Sequence, residues 1–368
     1  MSLIQQVLSK NIAQLKKFRF IIVQHLMSDT YNFLLELINA GIEISYLFVK
    51  EYSYDDGYLN KLQGMIPIKV ITGEMTPCYK NILEDAIEKS KSDSKKIAIL
   101  DLGGEFSSLL SNIKTEKTQI VVVEDTAFGH RKYERLIIKN RCISLFSVAK
   151  SKFKEIEAKF VGESIVNSAE QVFRSFGQTI VGRKVLVIGY GMIGKNVAKV
   201  LKETCCIVSV YDNDDIKMCS AYFEGYNVGK LHNLLKENTI VFGVTGDTSI
   251  CHTQIRNLLN QTILISGSSK QIEFAKQLID NANPFSEHVD KCNIEGKEIY
   301  LFNKGYPINF ISKSVPDCII EFLFAEMLMC LVESSDNKNT SKQSIRELSL
   351  DGMNIISQQF LISQGKRM

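Results

Sequence analysis

The run GYGMIG at 189–194 spaces three glycines as GxGxxG, with the apolar run VLVI before it and a helix-like segment, 195–203, after it. Each glycine has a physical reason to be there. Gly189 permits a tight turn, Gly191 lets the backbone approach a pyrophosphate, and Gly194 allows helix and strand to pack closely. A diphosphate would rest on the N–H groups that open the helix, at Met192, Ile193 and Gly194. About 20 residues beyond the glycines, after the strand-like run 207–211, stands Asp212, a spacing that suits a carboxylate holding an adenosine ribose diol. No arginine stands immediately after it, and a carboxylate repels a 2′-phosphate, so the expected cofactor is NAD rather than NADP. Thr245-Gly246 in VTGD and Ser266-Gly267 in SGSS each follow an apolar run where such sheets touch a cofactor, and each reads equally as a plain turn.

The elements that must position these residues alternate along the chain. Runs 18–24 (FRFIIVQ), 42–49, 68–72, 97–102 and 119–123 are strand-like and are separated by helical patterns such as 29–40. Such alternation implies right-handed crossovers and a parallel sheet covered on both faces. After a long helix at 163–176 the pattern repeats at 185–188, 207–211, 239–244, 262–265 and 299–302. The expected fold class is therefore α/β, two doubly wound parallel-sheet lobes, one of them a Rossmann domain. The expected layout is 1–160 as a substrate-type lobe and 161–310 as the NAD-binding lobe. Residues 311–368 are read as helices returning to the first lobe or to a subunit contact, with 333–346 as a loop. Ligands of such sheets lie at the strand carboxyl ends, where Gln24-His25, Asp101 and Asp125-Thr126 fall.

Composition narrows the classes. At 368 residues about two domains are expected. The 44 basic and 41 acidic residues are spread evenly with no basic block, so no nucleic-acid partner is expected. Nine cysteines without a CxxC pair read as reduced thiols in a cytoplasmic protein, and no metal site is expected. The apolar stretch 322–332 is interrupted by Glu326 and is shorter than the ~20 residues of a membrane span, so no membrane partner is expected. The apolar helices at 163–176 and 317–332 suit packing between subunits, which points to a homo-oligomer.

With these residues in view, the chain resembles the S-adenosylhomocysteine hydrolase family. The segment GESIVNSAEQVFRSFGQTIVGRKVLVIGYGMIGKNVAKVL is similar to that family's cofactor core, and AYFEGYNV continues in register. IIVQHLMSDT, IAILDLGGEFSSL, VVEDTAFG, SVAKSKF and GYPINFISKSVP resemble its substrate-site segments. The resemblance implies oxidation of a ribose 3′-hydroxyl with tightly held NAD, then elimination and hydration of a thioether, on a nucleoside-like small molecule. It implies that His25 serves the leaving group and that Lys150, desolvated, serves the oxidised carbon. Asp125 would hold the ribose diol, and Thr126 and Asn309 would face the cofactor. The departures are specific. The family's reactive carboxylate falls at Leu102, Lys154 and Glu155 replace an aspartate and an asparagine, Val161 replaces a cysteine, and SGSS at 266–269 replaces a histidine loop. Plainer readings stand beside these: His25 as a structural group, Lys150 with Lys152 and Lys154 as a solvated basic face, and Asp125-Thr126 as a helix cap. A non-catalytic relative that binds NAD and a nucleoside is the alternative function. A 2-hydroxyacid or amino-acid dehydrogenase is disfavoured, because 245–247 and 266–270 offer no arginine to hold a carboxylate.

Overall fold

In a computed structural model, all residues are described except 73–74, 114, 116–117, 137–141, 313, 337–343 and 367–368. The chain forms two units, Met1–Lys154 with Pro316–Met368, and Glu155–Val315.

The first unit holds six parallel strands: β1 (Phe18–Leu26), β2 (Glu43–Tyr54), β3 (Ile68–Ile71), β4 (Lys96–Asp101), β5 (Ile120–Glu124) and β6 (Ile143–Ser147), in the order β3-β2-β1-β4-β5-β6. Alternation along each strand sorts neighbours to opposite faces. Phe20 and Ile22 of β1 join one apolar cluster with Ala98, Leu100, Val121 and Val123. Ile21 and Val23 join another with Ile97, Ile99, Ile120 and Val122. Both faces are therefore buried, as in other parallel sheets. The helix Asp317–Asp336 returns to this unit and inserts Phe324 against Phe33, their rings stacked at 4.2 Å. The loop expected at 333–346 thus begins inside that helix, while 337–343 lie outside the described residues.

Strand order reverses between β1 and β4, which opens a crevice at the carboxyl ends of those strands. The pairing of β1 with β2 is interrupted there. Gln24 pairs with Val49 but Leu26 with Tyr54, so β2 carries extra residues opposite His25. Irregularities of this kind re-aim side chains beside functional sites. The bulged stretch contains Lys50, Tyr52 and Ser53.

The second unit contains β7 (Lys184–Ile188), β8 (Ile207–Tyr211), β9 (Asn227–Val228), β10 (Ile240–Gly243), β11 (Thr262–Ser266), β12 (Ala282–Ser286), β13 (Val289–Ile294) and β14 (Lys297–Phe302). The order is β12-β13-β14-β11-β10-β7-β8-β9, with β12 and β13 antiparallel. That antiparallel edge and the strands β6 and β9 add to the strands expected from the sequence. The edge is hard to read because β12 is largely exposed and contains Pro284, so it has no buried period to detect. The turn from β13 to β14 is Glu295-Gly296, with φ of 49° and 73°, the left-handed pair that a two-residue hairpin demands.

Candidate functional site

The glycine loop lies between β7 and the helix Met192–Glu203. Gly189 has φ of +102°, and a Cβ there would meet the Val244 carbonyl oxygen at 2.7 Å, so glycine lets the two turns touch. At Gly194 a Cβ would stand 1.9 Å from the Gly189 carbonyl oxygen, so that glycine seats the helix on the turn. Gly191 differs from both. Its φ of −81° suits any residue, and a Cβ there would meet nothing within 4 Å. The protein leaves open space at Gly191, beside the helix-opening N–H groups of Met192, Ile193 and Gly194, which is the cradle a pyrophosphate requires. Asp212, at the end of β8, accepts hydrogen bonds from the N–H of Tyr190 (2.6 Å) and of Asp214 (3.0 Å), which fixes its carboxylate beside the glycine turn. These residues fit a dinucleotide.

Glu273, which nothing in the sequence singles out, organises the facing turn. Its carboxylate accepts the N–H groups of Thr245 (2.7 Å) and Gly246 (2.8 Å), the Thr245 hydroxyl, and the Ser268 hydroxyl. Burial is the largest influence on Glu273 and raises its pKa, while these donors act against that rise. The Ser266 hydroxyl accepts from the Ser268 N–H at 3.4 Å, and a Cβ on Gly267 would meet Ile165 and Val244 at 2.7 Å. Asn309 is buried and donates to the Ser314 hydroxyl at 2.6 Å.

In the first unit the crevice collects charged groups from several strands. The His25 Nδ1 is hydrogen-bonded to the Ser53 hydroxyl, and the ring packs edge-on to Tyr52 at 5.9 Å. Burial first, then the ammonium groups of Lys50 and Lys154, lower the His25 pKa to about 3, so the imidazole is neutral at ordinary pH. Lys50 is nearly enclosed, at 3% exposure, and donates to Glu105 at 2.5 Å. Asp125 accepts from Lys154 at 2.9 Å. Thr126 caps the helix Ala127–Glu134 by accepting the Gly129 N–H at 3.0 Å, and its hydroxyl donates to Glu124 at 2.7 Å.

Two buried acids serve the scaffold. Glu124 accepts the N–H groups of Gly103 (3.0 Å) and Gly104 (2.9 Å), and Asp101 accepts those of Glu105 and Phe106 and the Tyr133 hydroxyl at 2.6 Å. Burial raises the pKa of both, the Asp101 carboxylate raises that of Glu124 further, and the Glu105 carboxylate adds to the rise at Asp101 against the Tyr133 and Phe106 donors and Lys50. Between them Leu102 is buried in the apolar cluster of Val23, Ile99 and Phe106.

The structure corrects one expectation. Lys150 is not desolvated: its side chain is 53% exposed and donates to Glu134 at 3.1 Å. It stands in the turn before the helix Lys152–Ser175 and is engaged by Glu134, whereas Lys154, in the first turn of that helix, reaches Asp125. Neither Lys154 nor Ser53 had a sequence signal of its own. In the sequence Lys154 marks a departure from a family pattern and is one of three lysines of a basic face.

Comparison with known proteins defines the class first. Residues 161–314 match the family described as "S-adenosyl-L-homocysteine hydrolase, NAD binding domain". Over 291 residues the chain is 23% identical to adenosylhomocysteinase of Thermoplasma acidophilum, covering 77% of this chain and 66% of that relative's length. The second unit thus matches the NAD-binding domain of the S-adenosylhomocysteine hydrolase family, the chain as a whole is similar to a member of that family, and its cofactor is NAD. Among solved structures, a dipicolinate synthase chain from Bacillus halodurans matches with a TM-score of 0.49 at 12% identity, over 86% of this chain and 99% of that one. Phosphoglycerate oxidoreductase from Vibrio cholerae matches with a TM-score of 0.37 at 11% identity, over 68% and 75%. No described helix is long and apolar enough to cross a membrane.

Proposed function

We propose that this chain is an NAD-dependent oxidoreductase of the adenosylhomocysteinase type, which oxidises a ribose-type 3′-hydroxyl of a nucleoside-like substrate but hydrolyses a thioether weakly or not at all. NAD, when bound, supplies a hydride acceptor at the oxidised carbon. The observation that carries the reading is the grouping of His25, Asp125 and Lys154 at the carboxyl ends of the first sheet, in a family whose second domain holds NAD. Asp125 offers carboxylate oxygens to the hydroxyls of a diol. His25 stays neutral, held by Ser53, and so can give or take a hydrogen bond without adding charge. The limit on hydrolysis comes from Leu102. An aliphatic side chain buried among Val23, Ile99 and Phe106 moves no proton, and the neighbouring Asp101 is engaged by two backbone N–H groups and Tyr133.

The test uses the purified protein with NAD, mixed separately with adenosine and with adenosylhomocysteine. Near-ultraviolet absorbance of reduced nicotinamide is followed, and free thiol is measured in parallel. The reading expects reduction with adenosine and little thiol from adenosylhomocysteine. Silence with both substrates, alongside tight NAD binding, would select the non-catalytic binding protein, a reading that the buried Leu102 favours. Rapid thiol release would refute the limit on hydrolysis.

A further inference from the structure

We propose that Lys154, rather than Lys150, is the ammonium group that meets the ligand in the first unit, and that with Asp125 it forms a clamp for a neutral vicinal diol. The inference rests on the oxidoreductase reading and refines it. Three observations converge on it. Lys150 is half exposed and engaged by Glu134, a carboxylate that also pairs with His130 at 2.9 Å. Lys154 is 15% exposed, lies 2.9 Å from Asp125, and projects its charge onto both His25 and Glu326. It therefore sits where the ends of β1 and β5 meet the helix Asp317–Asp336.

The third observation is the bolt beneath it. The Ser151 hydroxyl donates to Glu326 Oε2 at 2.8 Å and accepts the Lys154 N–H at 3.1 Å. Glu326 is fully buried in the apolar stretch 322–332 of its helix, and its Oε1 has no hydrogen-bond partner among the described residues. A buried carboxyl in such a place is costly unless it fixes something. Here it fixes the first turn of the helix Lys152–Ser175, and with it the direction of Lys154. Burial first, and then Asp125, raise the Glu326 pKa to about 8, so near neutral pH the bolt is largely uncharged and leaves the Lys154–Asp125 pair electrically balanced.

That balance defines the ligand class. An adjacent donor and acceptor match two neighbouring hydroxyls, one accepting from Lys154 and the other donating to Asp125. A phosphate or carboxylate would meet repulsion from Asp125 together with attraction to Lys154, so a neutral polyol or ribose is favoured.

The test measures adenosine binding by calorimetry on the NAD-loaded protein, for the wild type, Lys154→Met and Lys150→Met, with melting temperature and NAD affinity recorded for each. Lys154→Gln replaces the methionine variant if that variant does not fold. The expected result is at least a tenfold loss of adenosine affinity in the Lys154 variant, with NAD affinity kept, and a much smaller loss in Lys150→Met. An equal or larger loss in Lys150→Met overturns this inference and leaves the oxidoreductase reading standing. Failure of the wild type to bind adenosine at all overturns that reading, and the clamp with it.

Discussion

Replacing Gly191 and Gly194 by alanine, one at a time, separates a glycine kept for the cofactor from one kept for the fold. At Gly191 the backbone is ordinary for an L-residue and the added methyl enters open space. The apo-protein should then be as stable as wild type or better, by about 0.4–1 kcal/mol, because alanine narrows the unfolded ensemble. The same methyl occupies the cradle, so NAD affinity should fall at least about tenfold, or roughly 1.4 kcal/mol. At Gly194 the methyl would lie 1.9 Å from the Gly189 carbonyl oxygen. Gly189 cannot step aside, because its own neighbours Val244 and Thr245 lie within 2.9 Å of where a Cβ would stand. Overpacking against backbone costs about 3 kcal/mol, offset by up to about 1 kcal/mol of alanine's helix preference. A net loss of about 2 kcal/mol lowers the melting temperature by roughly 4–8 °C in a unit of this size. Thermal melts of apo-protein and calorimetric NAD titrations decide the matter. Wild-type NAD affinity in Gly191→Ala, or wild-type stability in Gly194→Ala, would refute the division of labour.

Glu273→Ala should strand the N–H groups of Thr245 and Gly246, each worth about 1–3 kcal/mol when buried without a partner, and so destabilise the protein in chemical denaturation. Gly129→Ala would drive a methyl to 2.2 Å from the Glu124 carboxylate, and a loss of about 3 kcal/mol or more is expected in the same assay. Glu326 holds its proton in the folded state up to about pH 8, whereas the unfolded chain releases it near 4.5. Its contribution is therefore fully present below pH 4.5 and fades as pH rises through 8, by at most about 1.4 kcal/mol per pH unit. Glu326→Gln should flatten stability across that window, and an unchanged slope in denaturant midpoints against pH would count against a protonated Glu326. His25 works in the opposite sense. With its pKa lowered to about 3 from 6.5, the stability it supports is present above pH 6.5 and lost as pH falls toward 3, a loss that His25→Gln should remove.

The cofactor loop was legible because its chemistry is local. A strand, three glycines, a helix and an acid all lie within a few tens of residues, and each glycine's role follows from backbone sterics. Continuous apolar runs marked the central parallel strands because both their faces are buried, and the lack of such burial left no mark on the exposed edge β12. The substrate-side crevice was only half legible. His25 and Asp125 could be placed at strand ends, but the family resemblance pointed to Lys150, whereas the lysine the structure brings to Asp125 is Lys154. That choice depends on where the helix Lys152–Ser175 begins, which is fixed by Ser151 and by Glu326, 175 positions away along the chain. Likewise Glu273 and the bulge that brings Lys50 and Ser53 to His25 are products of strand pairing and burial. Short-range spacing thus determined where the glycine turn and the helix start behind it fall, while long-range packing alone decided which charges are withdrawn from water, and charges so withdrawn interact more strongly than those left in it.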